Sequence, residues 1–286
     1  MSEDFFPTQL DEIVAWAKRQ NISLAEARQR FAQFAILFSI AASRRLSQLL
    51  VFKGGNALDF FWHSNRSTQD LDFSVGETPS EEIPWNEVFG SAFTVTASAK
   101  GVLLRVQRAE RRPPGASRTW PSWNLKIGYA LPEDRSNRRK IEARQAVPTV
   151  VPVEISLNDV VCAEERQSVG GSFALRVCTL EDIVAEKLRA YLQQTKRNRF
   201  RKQDLLDIAA IRVRGLDLDL ERVALFLRAK AAARDVFVSK EAFRDPDLVR
   251  RAQTDYAQLK STTREIFLPA PEALAHLLAL VDALPL

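Results

Sequence analysis

The chain has 286 residues, with 41 Lys and Arg against 36 Asp and Glu and 46% hydrophobic residues, proportions that exclude a disordered or fibrous protein and allow a substantial core. No apolar run approaches the ~18 residues that cross a bilayer, and the acidic start at Glu3 and Asp4 does not resemble a signal peptide, so we expect a cytoplasmic protein. Two cysteines cannot form a disulfide framework, and with only two histidines beside them we expect no soft-metal site, so any metal is expected on carboxylates.

Hydrophobic periodicity predicts two helices at the start, over residues 8–20 and 23–42, and Ser23 with Glu26 forms a capping box before the second. A further helical stretch is predicted at Ala57–Trp62. Short apolar runs bounded by glycine, proline or polar residues predict strands at Leu49–Phe52, Leu71–Val75, Phe93–Ala97, Val102–Val106, Leu125–Ala130 and Val150–Leu157. The middle of the chain is therefore expected to contain a mixed sheet.

The helical period returns after Thr179, which with Asp182 resembles a capping box. Later helices are predicted at Asp204–Arg212, Leu218–Arg234, Asp247–Lys260 and Pro271–Leu284. The sequence thus predicts an α/β (α+β) fold with two domains: residues 1–178 contain N-terminal helices and the sheet, and residues 179–286 are helical. Nothing rich in glycine or serine separates the two, so we expect no flexible linker.

Two glycines follow the first predicted strand, in the segment Phe52-Lys53-Gly54-Gly55-Asn56. A strand that ends in glycines and opens a helix exposes backbone N–H groups and the positive end of a helix dipole, which suits a phosphate. We expect Asn56 to cap that helix. Because any turn with positive φ favours glycine, an ordinary turn is the more frequent interpretation of this segment alone.

Asp70 and Asp72 are two residues apart in a predicted strand, so both carboxylates project from one face while Leu71 and Phe73 anchor the other. A divalent metal would remove their repulsion and hold triphosphate oxygens. For an isolated Asp-x-Asp, an exposed strand with an acidic outer face is the more frequent explanation. Glu154, in an otherwise apolar strand, is either a third metal ligand or general base or a surface residue. We predict that the three carboxylates face one cleft.

Lys187 falls inside the apolar stripe of the first C-terminal helix. Either its stem carries the ammonium out to solvent, the commoner case, or the ammonium points into the cleft toward a phosphate, which we predict. Arg189 lies on the opposite face and is expected at the surface. Asp204 and Asp207 share a face of the next helix. They either pair with Lys187 or Arg201, or one of them lines the site.

Basic residues are clustered in three runs. They are Arg105, Arg108, Arg111, Arg112 and Arg118; Arg135, Arg138, Arg139, Lys140 and Arg144; and Lys196, Arg197, Arg199, Arg201 and Lys202. A single run of this kind is usually a solvated loop, but such runs also attract polyphosphate chains because each neutralised phosphate releases counterions. Trp120, Trp123 and Phe200 lie among them. Together the three runs favour a nucleic acid or a nucleotide as the partner.

Taken together and in order, these segments resemble the AbiEii/AbiGii-type nucleotidyltransferases, the toxins of type IV toxin–antitoxin systems, which include the MenT group. The resemblance extends from about Leu49 to Ile211 and is carried by Lys53-Gly54-Gly55-Asn56-Ala57-Leu58, Asp70-Leu71-Asp72-Phe73-Ser74, Val153-Glu154-Ile155, Leu180–Ala190 and Gln203-Asp204-Leu205-Leu206-Asp207-Ile208. It implies a polymerase-beta-type fold, dependence on Mg²⁺ or Mn²⁺, and transfer of a nucleoside monophosphate from an NTP, in some members to tRNA. A cognate antitoxin becomes a candidate partner. With an RNA acceptor, the basic runs, above all the third, are expected to border the cleft and bind RNA.

The same resemblance implies a set of roles. Gly54 and Gly55 hold the triphosphate, Asp70 and Asp72 bind the metal, Lys187 contacts the nucleotide, and Asp204 or Asp207 completes the site. Beside these, Lys53 and Asn56 are candidates for binding the triphosphate and Glu154 for binding the metal. Three departures from the family pattern stand out. Asn56 occupies a position where Ser or Thr is usual, the gap from Gly55 to Asp70 is long, and the basic segment 194–203 looks like an insertion.

Two other functions are alternatives to this one. A small-molecule nucleotidyltransferase of the antibiotic-adenylating kind would use the same metal site but would not need the basic runs. A non-catalytic nucleic-acid-binding protein would need the basic runs and use the acids only structurally.

Overall fold

The structure is a computed structural model that describes residues 6–62, 66, 68–75, 83–113, 120–171 and 173–286. The chain divides into two units. The first comprises Met1–Phe61, Thr68–Asp159 and Glu165–Val177, and the second Trp62–Ser67, Val160–Glu164 and Cys178–Leu286.

Six helices are described in the first part of the chain: α1 (Glu12–Gln20), α2 (Leu24–Ala42), α3 (Arg44–Leu49), α4 (Gly54–Trp62), α5 (Trp85–Lys100) and α6 (Arg135–Glu142). The predicted N-terminal helices are confirmed, and the Ser23 hydroxyl accepts a hydrogen bond from the Glu26 backbone N–H at 3.1 Å. Three helices, α3, α5 and α6, were not predicted. α3 is only six residues long, and α6 is so polar that it has no apolar period.

The described strands form one seven-stranded sheet. They are β1 (Leu50–Lys53), β2 (Leu71–Val75), β3 (Leu103–Arg112), β4 (Ser122–Ala130), β5 (Val150–Ser156), β6 (Glu164–Val169) and β7 (Phe173–Cys178). Their order is β3-β4-β5-β2-β1-β7-β6. β2 is parallel to β5 and β1 to β7, whereas β1 and β2 are antiparallel, so the predicted mixed sheet is confirmed.

The strand predicted at Phe93–Ala97 is wrong, because these residues belong to α5. The β-branched run Thr94-Val95-Thr96 favours a strand locally. Burial follows the helical period instead, at Val88, Phe89, Ala92, Phe93 and Thr96. Packing of this face therefore overrides the local preference. β6 and β7 were not predicted, because both are short and β6 is mostly exposed.

The second unit is helical, with α7 (Leu180–Leu192), α8 (Lys202–Val213), α9 (Leu220–Ala233), α10 (Pro246–Gln253), α11 (Ala270–Ala283) and 3₁₀ turns at Ala242–Arg244 and Tyr256–Thr262. Thr179 caps α7 by accepting from the Asp182 backbone N–H at 3.4 Å. The single helix predicted at Asp247–Lys260 is wrong. Asp255 has a φ of 55°, a left-handed conformation that α10 cannot continue through.

Among the residues that the structure describes, no helix combines the length and the apolar character needed to span a membrane.

Candidate active site

Asp72 and Glu154 are direct neighbours in the sheet. Asp72 of β2 lies opposite Glu154 of β5 on one side and Lys53 of β1 on the other. Leu71 and Phe73, which flank Asp72, are fully buried. Residues in register on neighbouring strands share a face, whereas adjacent residues along one strand point to opposite faces. Asp72 and Glu154 therefore both project from the face opposite Leu71 and Phe73. Glu154 is exposed and Asp72 partly exposed, so both carboxylates are accessible.

Asp70 stands just before β2, which begins at Leu71, and it is exposed. Its backbone carbonyl accepts a hydrogen bond from the Asn56 side-chain amide. The side-chain direction of Asp70 is not set by the pleat of β2. Its convergence with Asp72 and Glu154 therefore stays a prediction.

The donor set suits a hard cation. Within the described ranges, no three His, Cys, Asp or Glu side chains are grouped as a metal site. Mg²⁺ is commonly held by one or two carboxylates together with waters and substrate phosphate oxygens. Asp72 and Glu154, adjacent in register and open to solvent, fit that requirement.

Gly54, the first residue of α4, lies against Asp72. Its φ is +75°, and a Cβ built there would lie only 3.0 Å from the Asp72 Cβ and Cγ. Both the left-handed backbone and the close approach require glycine. The glycine therefore brings the first turn of α4, with its unpaired N–H groups, next to the Asp72 carboxylate.

The side chain of Lys53, at the end of β1, extends toward the end of β5. Its ammonium donates to the Ser156 hydroxyl at 3.1 Å and forms an ion pair with Asp159. Sequence patterns did not indicate Asp159, because it follows β5 at a distance of 106 residues from Lys53. Binding of a phosphate by Lys53 stays a prediction.

Asn56 does not cap α4, so that prediction is wrong. The helix already begins at Gly54, and Asn56 is fully buried within its first turn. The side-chain oxygen accepts from Arg30 at 2.7 Å, and the amide nitrogen donates to the carbonyls of Thr68, at 3.1 Å, and Asp70. Asn56 thus binds the segment that precedes β2.

In the second unit, Lys187 is 5% exposed. Its ammonium donates to Asp204 Oδ1 at 2.9 Å and Asp207 Oδ2 at 2.6 Å. An outward, solvated ammonium, the commoner alternative for a lysine in an apolar stripe, is excluded. Both aspartates pair with Lys187, which was one of the arrangements that the sequence left open.

Arg66 completes this cluster, and its role was not predicted. Its Nε donates to Asp207 Oδ1 at 2.8 Å and its Nη2 to Oδ2 at 2.9 Å, a bidentate pair. The two residues are 141 positions apart, and no spacing rule connects them. The only signal was the position of Arg66 in the stretch that leads to Asp70.

Burial and charge act in opposite directions on this cluster. Burial by itself would raise the pKa of Asp207, but Arg66 and Lys187 outweigh it and hold the pKa below its usual value. Burial would lower the pKa of Lys187, but Asp204 and Asp207 hold it above its usual value. Both groups are therefore charged at neutral pH.

Arg189 is buried, so the expectation that it lies at the surface is wrong. It is 6% exposed, pairs with Glu186 and donates to the Gln193 side-chain oxygen. Nearly the whole circumference of α7 is packed, which leaves no solvent-facing side at this position.

The first basic run lies largely on β3, and the second on α6 and its flanks. Arg108 and Arg112 both pair with Glu110, which reduces the free positive charge of the first run. Arg118 lies outside the described residues.

Most of the third run is engaged within the protein. Lys196 pairs with Asp235 at 3.0 Å, Arg201 lies 3.5 Å from Asp204, and Lys202 donates to the Asp255 carbonyl at 3.1 Å. In the part of the chain that is described, the exposed Arg197 and Arg199 form no ion pair or side-chain hydrogen bond. These two guanidinium groups are therefore available to an anionic partner.

Phe200, directly after Arg199 in the chain, is 51% exposed. The Arg251 guanidinium carbon lies 5.8 Å from the centroid of its ring. An exposed aromatic ring beside arginines is a surface on which an unpaired base can stack.

Residues 35–277 match the family described as "Nucleotidyl transferase AbiEii toxin, Type IV TA system". No curated protein sequence matches the chain. Three solved structures, all under 25% identical to the chain, share the fold.

The first of these structures is MenT4, the nucleotidyltransferase toxin Rv2826c from Mycobacterium tuberculosis H37Rv, with 18% identity, a TM-score of 0.58 and coverage of 95% of this chain and 90% of that one. A candidate nucleotidyltransferase from H. pylori has 17% identity, a TM-score of 0.53 and coverage of 91% and 95%. JHP933 from Helicobacter pylori has 18% identity, a TM-score of 0.51 and coverage of 89% of both chains.

These matches confirm the predicted nucleotidyltransferase fold and enzyme class, and the family match extends well beyond the Leu49–Ile211 stretch that carried the sequence resemblance. The chain belongs to the AbiEii family of nucleotidyltransferase toxins of type IV toxin–antitoxin systems.

Proposed function

We propose that this toxin transfers a nucleoside monophosphate from an NTP to an RNA acceptor of the tRNA class, in a Mg²⁺-dependent reaction in the cytoplasm. Its family implies an NTP substrate, a divalent metal and an antitoxin partner. The observation that carries the proposal is the register of Asp72 with Glu154, with Gly54 pressed against Asp72.

In this proposal the first unit supplies the groups that bind the metal and the triphosphate and the group that accepts the proton of the acceptor hydroxyl. Asp72 and Glu154, together with Asp70, would hold Mg²⁺, which when bound offsets the negative charge of the triphosphate. The first turn of α4 at Gly54 and Gly55 presents N–H groups to the phosphates, and Lys53 adds a positive charge beside them. The acceptor hydroxyl oxygen attacks the α-phosphorus, the bond from that phosphorus to the oxygen bridging it to the β-phosphorus breaks, and pyrophosphate leaves. The more exposed Glu154 is the candidate acceptor of that hydroxyl's proton.

In the second unit we propose that Lys187 contacts the nucleotide, with its ammonium oriented by carboxylates. Asp207 has a side chain 1% exposed and is saturated by Arg66 and Lys187, which favours an orienting role. The side chain of Asp204 is 13% exposed, so Asp204 is the better candidate for direct contact with a ligand.

Incubation with each α-labelled NTP, Mg²⁺ and total RNA tests this function. We expect one NTP to label a band of tRNA size, and chelation of the metal to stop the labelling. Label found only in small molecules would favour an antibiotic-type enzyme. Absence of transfer with every NTP would contradict the proposal.

Reversing the charge at Arg197 and Arg199 together should weaken RNA binding. Each lost phosphate contact lowers the slope of log K against log[salt] by roughly 0.7 for a single-stranded acceptor, so the slope should fall by about 1.4. Fluorescence anisotropy of labelled RNA over a salt series measures it, and NTP binding should stay nearly constant.

Arg212→Glu is the matched control for this pair. Arg212 is exposed and lies ten residues beyond Lys202 along α8, or ~15 Å along a helix. The Arg212→Glu variant should have the same slope of log K against log[salt] as the wild-type protein. Equal slopes for the wild-type protein and the Arg197/Arg199 variant would show that this run only solubilises the protein.

A further inference from the structure

We propose that a buried cluster in the first unit, formed by Arg30, Gln33, Asn56 and Asp59, fixes the backbone that leads into Asp72. Gln33 and Asn56 are then positioning residues of nucleotidyl transfer. The inference rests on the proposed catalytic role of Asp72 and assigns Asn56 a place in the interior instead of a contact with phosphate.

All four residues are at most 1% exposed. Arg30 is at the centre: one of its terminal nitrogens donates to Gln33 Oε1 at 2.9 Å and Asn56 Oδ1 at 2.7 Å, and the other pairs with Asp59. The Phe60 ring lies against the guanidinium, with its centroid 4.4 Å from the central carbon. The arginine is therefore held from three sides.

This arrangement determines which way both amides point. Arginine has donors but no acceptor, so Gln33 and Asn56 must present their oxygens to it. Their NH₂ groups are left facing the opposite direction. There they meet the segment that precedes β2.

Three consecutive carbonyls of that segment accept from the two amides. Gln33 donates to Thr68 at 2.9 Å and Gln69 at 3.0 Å, and Asn56 donates to Thr68 at 3.1 Å and to Asp70. These bonds set the orientation of the backbone at the last residues before the strand.

The orientation of the backbone before β2 matters because successive side chains of a strand point to opposite faces of the sheet. A shift of one residue in a strand moves every side chain to the other face, so the conformation before Leu71 decides whether Asp72 stands beside Glu154. An apolar core could bury the same surface without the desolvation cost of a buried ion pair. Unlike an apolar core, the polar cluster forms directional hydrogen bonds with the backbone of residues 68–70.

Asn56→Asp and Gln33→Glu test this with the least change of shape. Each keeps an oxygen for Arg30 and replaces the NH₂ donors with an acceptor facing carbonyls. We expect kcat for RNA labelling to fall on the order of 10- to 100-fold, as for a small displacement of a reacting group, with KM for NTP nearly constant. The Mg²⁺ concentration for half-maximal rate should rise.

Gln107→Glu is the matched control. Gln107 also donates its amide to a carbonyl, that of Val147 at 3.3 Å, but from β3, three strands away from β2 and thus ~14 Å across the sheet. The Gln107→Glu variant should change neither kcat nor the Mg²⁺ concentration for half-maximal rate. Gln33→Leu, which removes the donors without adding charge, is a second variant should the acidic ones fail to fold.

Hydrogen–deuterium exchange of the peptide covering residues 68–75 provides a readout that does not depend on activity. Exchange should be faster in the Gln33 and Asn56 variants and unchanged in Gln107→Glu. Unchanged exchange, or faster exchange with wild-type kcat and Mg²⁺ requirement, overturns the inference. Failure of the wild-type protein to label RNA would instead refute the proposed function, and the exchange data would still decide whether the cluster holds the segment.

Discussion

Asp72→Asn should reduce nucleotidyl transfer on the order of 10³-fold, because a metal-held carboxylate supports several kcal/mol of transition-state stabilisation. Asp72 lies between Lys53 and Glu154 in the sheet and against Gly54, so it is the carboxylate most closely surrounded by the other candidate groups. The amide has the same shape and the position is partly exposed, so the fold should persist. Transfer of α-label to RNA measures the loss, and RNA binding by the variant should match that of the wild-type protein.

Glu142→Gln is the control for the change in charge. Glu142 is an exposed acid at the end of α6, and its neutralisation should leave the rate unchanged. Persistence of transfer in Asp72→Asn above a tenth of the wild-type rate would refute the metal role of this residue. Loss of both transfer and RNA binding would indicate a structural role instead.

Lys187→Met should lower the free energy of unfolding by about 3 to 5 kcal/mol, the usual cost of removing one partner from a buried ion pair. The substitution leaves Asp207 buried with Arg66 as its remaining cation and Asp204 with only Arg201 at 3.5 Å. Urea denaturation followed by circular dichroism measures the change.

Two further variants determine the origin of that loss. Lys260→Met, at an exposed lysine of the same unit, should change the free energy of unfolding by less than ~0.5 kcal/mol. Adding Asp204→Asn to Lys187→Met restores charge balance around the Arg66–Asp207 pair, and it should recover part of the lost stability. A loss below ~1 kcal/mol in the single variant would show that Lys187 is solvated in solution.

The sequence by itself determined the features that depend on neighbours a few residues apart. The capping residues Ser23 and Thr179 both accept the predicted backbone hydrogen bonds, because a cap needs only a hydroxyl three residues before the N–H it binds. The alternation around Asp72 placed Leu71 and Phe73 in the core for the same reason. The order of such segments along the chain was also sufficient to indicate the family.

Tertiary structure decided the partners of the buried polar groups. Asn56 has the side chain of a good N-cap, but its side-chain oxygen accepts from Arg30 and its NH₂ group donates to carbonyls before β2. Neither atom is left to cap α4. Arg66 and Asp207 meet only in the folded second unit. A side chain's chemistry is local, and it defines what the group can donate or accept. Which atom satisfies it depends on the packing of elements that are distant in sequence, since a buried polar group must be paired wherever it comes to lie.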